Sequence, residues 1–386
     1  MNEIVIIGAG YTGMAATMSV AARVKGRDDV HVTLVNPQAR FTERLRLHQV
    51  ASGQNLADLE IPELLAGTGV EFVQGWVTAV DADAQTVRID DEYTLRYDTL
   101  VYALGAVADA EAVPGVDEHA YTLNSAHDAE LLAEQLDRLA TGTVVVAGGG
   151  LTGIESAAEI AEQRPDLDVV LLSSEQPGAM MGPKARARLL AGLARLGVQV
   201  RASVDVVKVL PDAVALADGE ILAAQAVLWT AGVRVSPLAR ATGLRVDERG
   251  RIVTDAALRS VSHPNVYAVG DAAAVQQRYG VLHGTCQSGI PTGVHAAASI
   301  ARQLKGKQPK PFRFGYVHQP VSLGRHDAVI QFTRPDDTPG RFYLAGRWAV
   351  AYKETVSASP WKTYRLLKLL PAVGAVLWRR GGRSTR

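Results

Sequence analysis

Cysteine is almost absent from this chain. Of 386 residues only Cys286 carries a thiol. That excludes an internal disulfide, a CxxC redox pair and a multi-cysteine metal site, and no metal is expected. Long apolar runs are missing too. None reaches the roughly 18 residues that mark a membrane-spanning helix. The chain opens directly on the strand-forming run EIVIIG, so no secretory leader is expected. Acidic residues are missing from one place, Trp361 to Arg386. Seven basic residues stand there: Lys362, Arg365, Lys368, Arg379, Arg380, Arg383 and Arg386. The net charge of +0 therefore divides into +7 for this tail and −7 for the remainder. Such asymmetry points to an anionic partner for the tail. The acidic remainder offers nothing to a nucleic acid, and none is expected.

What the chain does have is glycine in two patterned clusters. EIVIIGAGYTGMAA carries Gly8, Gly10 and Gly13, and TVVVAGGGLTGIESAAEIAE carries Gly148, Gly150 and Gly153. Each GxGxxG follows a β-branched run and opens an alanine-rich helical stretch, which is the context the motif requires. The first glycine permits a tight turn. The second lets backbone approach a pyrophosphate, and the third lets helix and strand pack closely. Phosphates then meet free N–H groups at a helix N-terminus. Two such sites predict two dinucleotides, and a protein that holds two is expected to pass electrons between them.

The length predicts two or three domains, and 47% apolar with 21% charged residues describes a soluble globular protein. The fold class is α/β, with two Rossmann-like dinucleotide-binding domains and a small C-terminal unit. Residues 1–107 form the first segment of one nucleotide domain, with strands at EIVIIG and HVTLVN. A hairpin over Thr86–Tyr97 closes at Asp91-Glu92, and TLVYALGA is a buried strand. Residues 108–233 repeat that plan. They hold a helix near Ala126–Leu139, the second glycine motif, the strand DVVLL, a helix near Pro183–Leu196 and the closing strand AVLWTAG. Residues 234–310 return to the first domain through NVYAVGDAAA, a strand followed by a helix of small residues. In 311–360, QPVSLGRHDAVIQF and GRFYLAGRWAV read as strands. Residues 361–386 form the basic, apolar tail.

An acid about 20 residues beyond the glycines normally holds a ribose hydroxyl. Asn36 stands there in the first domain and can still hydrogen-bond a hydroxyl. Ser173 stands there in the second and would not repel a 2′-phosphate, which leans toward tolerance of NADPH. Equally, Ser173 simply ends a strand and Glu175 takes the ribose. Asp271, read alone, is a helix N-cap.

The wording of FTERLRLHQVASG, DTLVYALGAVADAEAVPGVDEHAYTL, GGGLTGIESAAEIAE, VLWTAGVRVSPLA, NVYAVGDAAA and VSLGRHDAVIQF is more specific. In these stretches the chain resembles flavoprotein NAD(P)H:quinone oxidoreductases: type II NADH dehydrogenases and their apoptosis-inducing-factor-like relatives. SASPWKTYRLL resembles the latter branch. The resemblance implies FAD at Gly8, Gly10, Thr12, Gly13, Asn36, Arg44, Val77, Ala103, Gly105, Gly270 and Asp271. It implies NADH or NADPH at Gly148, Gly150, Thr152, Gly153, Ser173 and Gly232, with Glu155 near the reacting rings. It also implies a quinone or quinone-like acceptor, beside which Glu155 and Gln287 are the expected catalytic positions.

One departure stands at the acceptor site. The family pattern AQxxxQ has two glutamines. Here the stretch is TCQSGIPTG, in which Gln287 matches the first while Pro291 and Thr292 occupy the second. Neighbouring Cys286 reads as a buried small hydrophobe rather than a reactive thiol. Three functions remain open: quinone reduction, reduction of a ferredoxin or biosynthetic intermediate, and low-turnover redox sensing. The tail has two readings as well. Trp361, Trp378 and the arginines suit an anionic membrane surface. Alternatively, the tail packs on its own protein or on a second subunit in a homodimer. The expected location is cytoplasmic, at the inner face of the cell membrane if the tail is an anchor.

Overall fold

The computed structural model describes residues 1–370. In chain order, the elements that frame the site are β1 (Asn2–Ile7), α1 (Tyr11–Val24), β2 (Val30–Asn36), β3 (Val70–Gln74), β4 (Thr99–Tyr102), α2 (Ala126–Arg138), β5 (Gly142–Ala147), α3 (Leu151–Gln163), β6 (Leu167–Ser173), α4 (Pro183–Arg195), β7 (Gln199–Ala202), β8 (Ala226–Trp229), β9 (Val266–Ala268), α5 (Cys286–Gln303), β10 (His318–Ser322), β11 (Ala328–Thr333), β12 (Pro339–Ala345) and α6 (Arg347–Leu369).

Five strands pair in parallel in the order β9-β4-β1-β2-β3, and four more in the order β7-β6-β5-β8. Both sheets are covered on both faces. Their strands are therefore continuous apolar runs, IVII in β1 and VVVA in β5, rather than alternating ones. The first sheet comes from both ends of the nucleotide-binding region, since β9 joins β4 after the whole second unit has intervened. On one side of it α1 lies tightly against α5. Gly293 of α5 faces the Thr12 carbonyl so closely that a Cβ there would overlap it.

The C-terminal unit is the antiparallel sheet β10-β11-β12 followed by α6. Three expectations change here. GRFYLAGRWAV does not continue as a strand: Gly346, at φ +71, ends β12, and Arg347 begins α6. No helix follows Asp271. The chain makes one short 3₁₀ turn over Gly270–Ala272 and a two-residue strand, and the next helix starts at Cys286, behind a Thr285–Ser288 capping box. Finally, α6 runs unbroken through residue 360, despite Pro360, into the expected tail.

The first part of that tail is packed on the first domain. Tyr364 and Leu367 are fully buried in its core. The Tyr364 hydroxyl donates to Tyr11 O at 2.8 Å. Trp361, one of whose two readings is a membrane interface and the other packing on protein, lies against Phe41 at 5.5 Å between ring centres. Lys368 Nζ donates to the carbonyls of Leu64 and Ala66. Apolar area and capped carbonyls thus hold this helix end to the protein. Most of the apolar stretch Leu369–Trp378, with Arg379, Arg380, Arg383 and Arg386, lies outside the described residues.

Candidate active site

Both glycine turns are built alike. Gly8 has φ +93 and Gly148 φ +125, the left-handed region that favours glycine. A Cβ on Gly13 would overlap Gly8 O, and one on Gly153 would overlap Gly148 O. Helix and turn touch backbone to backbone in each case. Gly10 and Gly150 are the N-caps of α1 and α3. Neither helix has a side-chain cap, and both glycines face open space. The first-turn N–H groups of both helices are therefore available to an anion.

Around the first turn, Asn36 at the end of β2 spends its amide on backbone. Its Oδ1 accepts from Ala9 N at 2.9 Å, and its Nδ2 donates to Gln38 O at 2.8 Å. Asn36 thus fixes the glycine loop, with lone-pair capacity to spare. Ala103 closes the floor beneath Gly8, and Gly105 (φ +64) turns the chain after β4. Arg44 Nη1 donates to Ala106 O at 2.6 Å. The Thr12 side chain wedges between Gly270 and Gly289. Val77 packs at the edge of the first core.

Asp271 stands apart. Its carboxylate has no hydrogen-bond or ionic partner among the described residues. It lies against Gly284, and burial pushes it up, with Arg44 and His283 opposing. Asp271, Gly270, Ala106, Ser288 and Gly232 line a cavity of about 980 Å³. A largely buried carboxylate without a partner, open to a cavity, is a group built to take hydrogen bonds from a ligand.

At the second turn, Ser173 is buried and its hydroxyl fills the space a side chain at Gly149 would need. It is a packing residue at a strand end. Glu175, two residues on, is exposed. Thr152 is exposed at the start of α3. Gly232, at φ +70, follows β8 and reaches the shared cavity.

Glu155, in the first turns of α3, is buried where the three units meet. Its Oε1 is 2.8 Å from Lys353 Nζ of α6, and accepts from Ser322 N at 2.9 Å and Ser322 Oγ at 3.1 Å. Burial opposes its charge, but Lys353 and the Ser322 N–H outweigh that and hold the carboxyl below its ordinary range. His48 is buried with Nε2 unpartnered, and burial pushes it down to about 4, so it is neutral. Lys353, Ser322 and His48 are site residues that the sequence did not single out. The only signal was the family wording around VSLGR and LRLHQ.

A family model described as "Pyridine nucleotide-disulphide oxidoreductase" matches residues 2–301. The chain belongs to this family. Among its relatives, an NADH dehydrogenase-like protein of Mycobacterium tuberculosis is 32% identical over 354 residues, covering 85% of this chain and 87% of the relative. A type II NADH:quinone oxidoreductase of Staphylococcus aureus is 27% identical over 390 residues, covering 92% and 94%. The structure of a sulfide:quinone oxidoreductase from Aquifex aeolicus superposes with a TM-score of 0.82 at 19% identity, covering 98% of this chain and 94% of that one. That of NDH2 from Plasmodium falciparum, in complex with NADH, gives 0.80 at 15% identity, covering 96% and 98%. At those identities the two structures speak for the fold alone.

Within the family this chain is an FAD-dependent NAD(P)H oxidoreductase without the disulphide of the family's description. Cys286 is its one cysteine, and burial pushes that thiol up to about 12. Gln287 also differs from expectation. Its Nε2 donates to His318 O at 2.8 Å, and its Oε1 accepts from Val317 N at 2.6 Å. Both ends of the amide clamp the start of β10. Pro291 is buried inside α5 and has no N–H, so the Gln287 carbonyl lacks its usual helical partner.

Proposed function

We propose that this flavoprotein takes hydride from NADH and passes two electrons to a quinone. Overall, NADH, a proton and quinone become NAD⁺ and quinol. FAD, when bound, supplies the chemistry of accepting hydride and releasing electrons. The chain's residues fit that group. The uncapped N-terminus of α1 offers N–H groups for its pyrophosphate, Asn36 fixes the loop around it, and Asp271 takes hydrogen bonds from its hydroxyls. The N-terminus of α3, with Gly150 and Gly153, holds the nicotinamide dinucleotide, and Gly232 leaves room beside it.

The observation that carries this reading is the buried Glu155–Lys353 pair, set where both nucleotide domains and the C-terminal unit converge. Glu155 fixes the Lys353 ammonium where the three units meet. A cation so placed favours negative charge developing on an acceptor oxygen. The buried Ser173 and the exposed Glu175 favour NADH over NADPH, because a carboxylate at that edge accepts from a ribose diol and repels a 2′-phosphate.

One observation favours a second acceptor class. With Pro291 in place of a glutamine and the Gln287 amide committed to backbone, less side-chain polarity is left to hold a quinone ring. A soluble acceptor such as a ferredoxin is the alternative. The quinone reading also places residues beyond 370, which hold four arginines and no acid, on an anionic membrane at its inner face. No helix among the described residues is long and apolar enough to cross a membrane.

The test is anaerobic. Purified protein is mixed with NADH or NADPH, then with a short-chain quinone, while flavin absorbance is followed. Rapid bleaching by NADH and rapid recovery with quinone support the reading. Bleaching that only a ferredoxin reverses transfers it to the second acceptor.

A further inference from the structure

Helix α3 carries a second buried carboxylate one turn beyond the first. Glu155, Glu159 and Glu162 occupy positions i, i+4 and i+7, so they share one face, turned toward the C-terminal unit. Glu159 is 0% exposed. Its Oε1 takes a hydrogen bond from Gln54 Nε2, on the segment that also supplies His48. Its Oε2 has no hydrogen-bond partner, and the nearest cation, Arg325 Nη1, stands 3.9 Å away. Glu162 and Arg325 are half-buried and reach solvent, with Glu162 Oε2 accepting from Arg325 N at 2.6 Å. The face therefore runs from the enclosed Glu155–Lys353 pair to the surface, with Glu159 midway.

These carboxyls differ in kind. Glu155 is held ionised by its ammonium and amide partners. Glu159 has only a neutral amide and a cation beyond hydrogen-bond reach. Burial pushes it up to about 7; Gln54 and Arg325 oppose, while Glu162 and Glu155 reinforce the rise. Those are the groups that face it: Gln54 from the segment after His48, Arg325 from the β10–β11 turn, and its two neighbours on α3. Two carboxyls pushed apart in this way divide the roles of fixed charge and movable proton.

We propose that Glu159 is a proton-holding positioning residue, which passes its proton inward to the Glu155–Lys353 pair during turnover and is refilled from solvent past Glu162 and Arg325. The inference rests on the quinone-reducing reading above. That reaction draws one proton from solvent for each NADH, beyond the one carried with hydride, into a region closed by three units. Glu159 does not line the cavity beside Asp271 and acts through Glu155. No group is oxidised or reduced in the step: the Lys353 ammonium gives an N–H proton to the reduced acceptor's oxygen, an O–H bond breaks at Glu159 and its proton, relayed by Glu155, restores the ammonium, and a solvent proton restores Glu159.

The test compares wild type with Glu159→Gln and Glu159→Asp in the full-length, flavin-loaded protein. Anaerobic flavin reduction by NADH is expected to stay within about twofold in both, because hydride delivery needs no solvent proton. Reoxidation by a short-chain quinone is expected to fall at least tenfold in Glu159→Gln at pH 7.5. The wild-type alkaline break near neutral pH should vanish in that variant and persist in Glu159→Asp. A readout independent of turnover is the infrared carbonyl band of a protonated carboxyl. It should titrate near pH 7 in wild type and be missing from Glu159→Gln. Should Glu159→Gln fail to fold, the wild-type band and Glu159→Asp still decide. A Glu159→Gln protein that cycles like wild type with an unchanged pH profile, or a wild type without the band at pH 6, overturns the proposal alone. A wild type reduced by NADH but not reoxidised by quinone overturns the functional reading and this role with it.

Discussion

Replacing Lys353 with methionine removes the cation from the buried pair and leaves its carboxylate in place. Removing one partner of a buried pair costs about 3–5 kcal/mol, because the remaining charge is uncompensated. Glu155 keeps only the N–H and hydroxyl of Ser322. The burial that Lys353 now outweighs would then dominate, and the carboxyl would rise above its unfolded value. The sign of the pH dependence follows. In wild type the depressed carboxyl contributes stability that is present above pH 4.5 and is lost as pH falls through the lower folded value. In Lys353→Met the raised carboxyl contributes stability below pH 4.5 and loses it as pH rises. The penalty should therefore be near its full 3–5 kcal/mol at pH 8 and clearly smaller at pH 5.5. Glu155→Gln/Lys353→Met should recover at least about 1 kcal/mol relative to Lys353→Met, since no orphan charge remains. The assay is urea unfolding followed by tryptophan fluorescence at both pH values. An equal penalty at the two, or strict additivity in the double variant, would refute the reasoning.

Other consequences can be checked separately. His48, neutral and pushed from 6.5 to about 4, contributes stability that is full above pH 6.5 and is lost toward pH 4. That is about 3 kcal/mol over the window, and His48→Gln should flatten that part of the stability profile in urea unfolding. Glu175→Ala should raise KM for NADH about 10- to 100-fold, the worth of one charge-assisted hydrogen bond, and shrink the preference over NADPH in steady-state assays. Deleting 371–386 should abolish binding to anionic liposomes while leaving flavin reduction intact; retained binding would remove the tail as an anchor. Deletion from 361 is a poorer probe, because it also strips Tyr364 and Leu367 from the first core and should lower the melting temperature.

The two nucleotide domains were legible because each requirement sits inside one short segment. A turn at positive φ, a helix start open to anions and a close helix–strand contact put glycine at fixed offsets, so Gly8 and Gly148 could be read in place. Parallel strands covered on both faces leave unbroken apolar runs, which β1, β5 and β8 show. The rest failed where the deciding contact is remote. GRFYLAGRWAV alternates like a strand, but Gly346 turns the chain in the middle of it. Leucine and lysine after residue 360 read equally as an anchor or as a packed helix, and only the fit of Tyr364 against Tyr11 separates them. Asn36 and Gln287 are singled out by position, but a sequence does not show that their amides are committed to neighbouring backbone. Lys353 was missed for the same reason: its partner is 198 residues away, and a lone lysine on a helix usually faces water.

These remote contacts share one cause. β10 is an edge strand, so one row of its backbone groups has no neighbouring strand to pair with. Its central residue is Pro320, which has no N–H to leave unpaired, as suits an edge. Groups in and just before this strand are met by side chains from three units. Gln287 of α5 takes Val317 N and His318 O, Lys353 of α6 reaches Pro320 O at 3.5 Å, and Glu155 of α3 takes Ser322 N. Unpaired backbone in a buried place is costly, so each of these side chains is held where the edge needs it. Lys353 and Glu155 then meet as a consequence of capping the same edge. This strand of the C-terminal unit is thus the scaffold that aligns the charged centre between the two nucleotide domains. A substitution that shifted β10 by one residue would move all three side chains together.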